Sequence, residues 1–216
     1  MTTERQRPEG NLELEVRAIA AERLTFFGDA VIAIALTLLA LDLPKPVGDT
    51  NGELLRSALQ LRDEYLAFII SFLVIAAHWR GHHRVFRYVT TLGGRLTGLT
   101  LAWLFMQVIT PFTTRVLTGD GAFEARFDFY AIVQFAASVL FILMIREIRT
   151  NKLYRGDSPP DIFVHPYLRT GVIAGAFLVS IPVSFFTHWA YVCWFVPPVT
   201  LGWTRKLRGL RDPHAD

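Results

Sequence analysis

The feature that most restricts how this 216-residue chain can fold is a succession of apolar blocks. Each is about as long as a membrane is thick, and arginine-, proline- and glycine-bearing stretches separate them. A hydrocarbon layer about 30 Å thick takes roughly 20 residues at about 1.5 Å rise each, whereas a water-soluble core of this size breaks its apolar residues into shorter runs. Six blocks meet the length: Leu24–Leu43, Glu64–Trp79, Leu96–Val116, Phe127–Ile145, Leu168–Thr187 and Trp189–Thr204. With 52% hydrophobic residues, the expectation is an all-α integral membrane protein of six transmembrane helices.

The first block follows a polar leader of more than twenty residues and carries no A-x-A site, so it reads as a retained span rather than a signal peptide. The expected organisation is an N-terminal segment over residues 1–22, a membrane domain over 23–208 and a tail over 209–216. Met1–Glu9 reads as disordered, while Asn11–Glu22 can extend the first helix into water. The single cysteine, Cys193, excludes a disulfide framework within the chain and any multi-cysteine metal site.

Basic residues sort among the connections. If six helices alternate, seventeen of the 22 Lys and Arg fall on one side, from Arg5 in the leader to Arg211 in the tail. Lys45, Arg56, Arg62, Arg115 and Arg126 remain on the other. Loop Lys/Arg bias sets orientation, so both termini are expected in the cytoplasm of a multi-pass plasma-membrane protein. The same charges flank apolar spans and meet anionic headgroups first, which argues against nucleic acid as a partner. Connections such as LPKPVGDTNGE and RGDSPPD carry proline and N-G turn chemistry, so they read as breaks. Between the fifth and sixth blocks almost no loop remains, which implies a tight helical hairpin.

The first span is unusual in its charges. Asp29 near its head costs about 2.5–3.5 kcal/mol at membrane depth on insertion scales, so it must face protein or a wet cavity. Arg23 lies six residues away, a poor helical pair, so each needs a partner on another helix. His78, His82, His83 and Thr97, entering the second and third spans, are the candidates. Ile34, Leu38 and Leu41 recur at i, i+4 and i+7 on one face, with Thr37 beside them. Ala30, Ala33 and Ala35 permit close approach of other helices. By itself such a stripe is in general packing.

The segment RLTFFGDAVIAIALTLLALDLP resembles the R-x-x-x-F-S-D signature of the transmembrane protein 175, or endo-lysosomal potassium channel, family, specifically its bacterial single-repeat members. Arg23, Phe27 and Asp29 match, and Gly28 stands where the family has serine. HWRGHHRVFRYV and LTLAWLFMQVITPFTTRVL are similar to the family's Trp/His-rich second-helix end and its Pro-Phe-x-Thr third helix.

The resemblance implies a homotetramer of six-helix subunits whose first helices line a central pathway for K⁺, with no cofactor and no carbonyl filter. It places apolar rings on Ile34, Leu38 and Leu41, with Thr37 near the constriction. Such a neck gates by dewetting, and Thr37 hydroxyls favour the ion that is cheaper to dehydrate, giving modest K⁺ over Na⁺ selectivity. Arg23, Phe27, Gly28 and Asp29 become a structural network with His78, Trp79 and His82 as partners. Asp42 is either part of a carboxylate ring at the mouth or a solvated helix end.

Two other readings rest on the same residues. His78 and His82, at i and i+4, have the spacing of a zinc pair and suggest an intramembrane metal-dependent hydrolase, although no H-E-x-x-H accompanies them. Asp29 with a histidine can instead serve as the relay of a proton-coupled carrier, although such carriers usually show inverted repeats and broken helices near the midplane, and here the lone charged cluster lies near one end of a span. The channel reading makes the protein no enzyme. Self-association, lipid and monovalent cations are its expected partners.

Overall fold

The computed structural model describes residues 6–195. Helix α1 runs over Gln6–Leu41, α2 over Asn51–Gln60, α3 over Arg62–Phe86, α4 over Gly94–Thr118, α5 over Phe123–Thr150 and α6 over Val164–Ser184. Two short 3-10 turns, Pro160–Ile162 and His188–Tyr191, flank α6. Five segments are long and apolar enough to cross a membrane: Glu15–Leu41, Arg62–Phe86, Gly94–Thr118, Phe123–Thr150 and Val164–Ser184. They coincide with the first five expected blocks and run longer, because arginine- and histidine-bearing turns continue the helices past the apolar run.

The sixth expected block, Trp189–Thr204, lies largely outside the described residues, as do the expected 209–216 tail and residues 1–5 of the leader. What is described of the junction is short. α6 ends at Ser184, and Thr187 then accepts from the amide of Trp189 to open the next turn.

One element was hidden by its own turn signal. Asn51-Gly52 reads as a break, yet these residues open α2. The Thr50 side chain accepts from the Glu53 amide, and the Glu53 carboxylate accepts from the Thr50 amide. That reciprocal capping box, T-x-x-E, overrides the turn propensity of N-G.

The long helices form a row. α5 packs on α4 and α6, while α1 packs chiefly on α3 and α4 and so stands at the edge of the described helices. Trp103, Phe141, Ile75, Ile145 and Leu39 bury at one level, and Phe127, Tyr130, Phe177 and Trp194 at another. At one end Val89 bridges Tyr154, and Thr90 donates to the Leu153 carbonyl at 3.0 Å, tying the α3–α4 connection to the end of α5. Between apolar helices in lipid there is no hydrophobic drive, so close packing and interhelical hydrogen bonds must hold the row together. Gly81 illustrates the closeness: a methyl group there would lie 3.1 Å from Phe141 Cε1.

Candidate pore helix and its anchoring network

α1 has two faces of different fate. Ala21, Gly28, Ile32, Ala35 and Leu39, spaced by three, four and seven, are buried against the neighbouring helices. On the opposite side Phe27, Ile34, Leu38 and Leu41 stand 51%, 59%, 44% and 78% exposed. Arg23, Ala30 and Thr37 share that uncovered stripe. The Thr37 hydroxyl donates to the Ile34 carbonyl at 2.8 Å, which leaves its lone pairs facing outward.

Three attachments fix which face is uncovered. Near the head, the Trp79 indole of α3 donates to Asp29 Oδ1 at 2.9 Å, so the carboxylate has its partner. At the far end, Arg115 of α4 lies 3.3 Å from Asp42, a contact next to a cleft lined by Leu39, Pro44, Glu64 and Thr118. Between them runs the small-residue seam. An α-helix held at both ends and along one side has little freedom to rotate. The Arg115 contact also neutralises Asp42 within the subunit, an ion pair that neither sequence reading of that residue included.

The histidines serve other purposes than pairing with Asp29. His78 lies buried between Gln107 of α4, 3.1 Å from Nδ1, and Ser138 of α5, 3.3 Å from Nε2. His82 stacks on Phe86 and on Trp103 at ring distances of 3.9 and 4.7 Å. His83 rests against Trp79, and the Thr97 hydroxyl bonds back to the Gly93 carbonyl. Arg23 is exposed on the uncovered face. Among the described residues no three His, Cys, Asp or Glu side chains converge on a point, so His78 and His82 lack a third metal ligand there. Each ring is already engaged with other helices.

Beyond His78 the polar contacts continue through the interior of the row. Gln134 donates to the Thr110 hydroxyl at 3.1 Å, while Ser71 links Thr114 at 2.8 Å and Tyr130 at 3.1 Å. Residues of α3, α4 and α5 are thus stitched together, each interhelical bond contributing about 0.6–2 kcal/mol. The sequence carried a signal for this: Gln107, Thr110 and Thr114 on α4, and Tyr130, Gln134 and Ser138 on α5, recur at three- and four-residue spacing inside apolar spans. Such residues have one polar face to share, and the natural place for it is between helices.

A row of apolar-faced helices stitched by buried polar groups, with an edge helix whose outer stripe is uncovered, defines a multi-pass helical membrane protein. Comparison with known proteins places it further. Residues 23–111 match the family described as endosomal/lysosomal potassium channel TMEM175, a span that holds α1 from Arg23 onward, α2, α3 and most of α4, with Trp79 inside it and Arg115 just beyond it. A potassium channel of Streptomyces collinus is 35% identical over 144 residues, covering 63% of this chain and 70% of that protein. The crystal structure of a lysosomal potassium-selective channel TMEM175 homolog from Chamaesiphon minutus superposes with a TM-score of 0.70 at 25% identity, covering 83% of this chain and 95% of that one. The endosomal/lysosomal proton channel TMEM175 of Gallus gallus is 32% identical over 78% of this chain, which spans only 38% of that protein. The chain belongs to the TMEM175 potassium channel family. Its relatives are ion channels, which sets aside the hydrolase reading of His78 and His82.

Proposed function

We propose that this protein is a K⁺-permeable channel formed by four copies of the chain, with α1 of each copy lining a central pore. In this reading Ile34, Leu38 and Leu41 form the hydrophobic constriction, and Thr37 lies beside it. Six spans per subunit put both termini in the cytoplasm, in the plasma membrane, as the distribution of basic residues predicts. The observation that carries the reading is the coincidence of two independent facts about α1. Its anchored face is specified at Asp29, along the buried line Ala21, Gly28, Ile32, Ala35 and Leu39, and at Asp42, and the face left uncovered is the one that bears Ile34, Leu38 and Leu41.

A ring of such side chains offers a cation nothing in exchange for its hydration shell, so conduction depends on wetting of the neck. Thr37 supplies the partial exchange. With its proton committed to the Ile34 carbonyl, each hydroxyl presents only acceptor lone pairs. Four of them favour the more readily dehydrated K⁺ over Na⁺, and only modestly, because they replace a small part of a hydration shell.

The test is reconstitution in planar bilayers with bi-ionic K⁺/Na⁺ recording, an imposed pH gradient and a mass measurement of the detergent-solubilised oligomer. Ile34→Asn hydrates the neck and is expected to raise the open-state current and the Na⁺ share. An unchanged current in a properly assembled variant overturns the constriction, and a current carried by protons alone moves the assignment towards the activity named for the animal relatives.

A further inference from the structure

His82 is completely buried at the junction of α1, α3 and α4, and no protein group bonds either of its ring nitrogens. The indole nitrogen of Trp103, whose ring stacks on it, is in the same situation. An imidazole carries at least one N–H, and when neutral one bare lone pair. In native proteins such buried atoms are satisfied by protein or by ordered water.

The neighbour of this ring on α1 is Gly28. A methyl group built there would meet His82 Cε1 at 3.7 Å and the two Leu104 methyls at 3.7 and 4.0 Å, ordinary contacts with nothing tighter. So a methyl-sized group at position 28 would rest in ordinary contact with an unbonded imidazole, at a position where a helix would gain stability from any ordinary side chain.

We infer that an ordered water molecule binds beside Gly28, hydrogen-bonded to His82, and acts as the link between α1 and the α3–α4 pair that a side-chain hydroxyl would otherwise make. The indole N–H of Trp103, whose ring stacks on His82 at 4.7 Å, is a second buried and unbonded donor at the same junction, and a buried water requires two or more polar partners. This inference concerns the interior of one subunit and stands whether or not α1 lines the pore.

The sign of one comparison tests it. By intrinsic helix propensity alone, stability at position 28 ranks Ala above Ser above Gly. If water occupies the site, Gly28→Ser replaces it with a hydroxyl that keeps the bond to His82. Gly28→Ala displaces it and leaves the ring dry. Gly28→Ser is then expected to melt a few degrees above Gly28→Ala in the detergent-solubilised protein, and the order should return to Ala above Ser when His82→Phe is present. Ala above Ser with His82 intact overturns the inference. A second measurement covers the case where a variant does not assemble. In the wild-type protein, magnetisation transfer from water to the ¹⁵N-labelled His82 ring is expected, and a ring that shows none overturns it.

Discussion

Trp79→Phe isolates the bond that holds the head of α1. The indole N–H reaches Asp29 Oδ1 at 2.9 Å, a charge-assisted geometry, and phenylalanine keeps the ring beside His83 while deleting the donor. Hydrogen bonds to charged groups contribute about 1.5–3 kcal/mol when buried. Here Trp79 is 38% exposed, so water or headgroups compete and the value falls to the bottom of that range and below it, about 1–2 kcal/mol. For a subunit of this size each kcal/mol moves the midpoint by about 2–4 °C, so Trp79→Phe should melt roughly 2–8 °C lower.

A double-mutant cycle removes the packing contribution of the ring. Asp29→Leu deletes the acceptor, and in that background Trp79→Phe should cost only the smaller ring, leaving a coupling energy of about 1–2 kcal/mol. Thermal melts of the four detergent-solubilised proteins measure it. If the two single costs simply add to within about 0.5 kcal/mol, the bond does not anchor α1 and the argument for its fixed rotation fails at this point.

Arg115→Gln breaks a contact whose arginine is 66% exposed, so stability should change by less than about 1 kcal/mol. In the proposed channel, with Asp42 at its mouth, the freed carboxylates should nevertheless raise cation conductance at about 0.01 M salt, with the difference gone near 1 M, where the screening length is about 3 Å. Single-channel recording across that range checks it, and an effect that persists at high salt refutes it. Gly81→Ala should be nearly neutral, because a gain of about 1 kcal/mol in helix propensity offsets a small shift of Phe141. Gly81→Leu overpacks the α3–α5 contact and should cost about 1–3 kcal/mol in a thermal melt.

The position of each long helix was readable because the signal is local: a run of apolar residues crosses lipid whatever else the chain does. Helix ends were less readable. α3 continues through the basic HWRGHHR turn, and a capping box two residues long in its essentials turned an apparent N-G turn into α2. Within the candidate site, the Ile34–Leu38–Leu41 stripe followed from helical period alone. So did the need of Asp29 for a partner, since an unpartnered carboxylate is too costly at that depth.

The identity of partners was a different matter. From the sequence, His78, His82, His83 and Thr97 were comparable candidates for Asp29, and Trp79 entered only as a partner of the signature network. The indole of Trp79 is the one that reaches it, while His78 turns inward to Gln107 and Ser138. Asp42 met Arg115 from a helix more than seventy residues away in the chain. Periodicity fixes where a side chain lies around its own helix, a property of one segment. Which groups meet depends on the offset and rotation of two helices at once, and these are set by the fit of small residues such as Gly28 and Gly81 against rings on neighbouring helices, a fit that exists only after the row has packed.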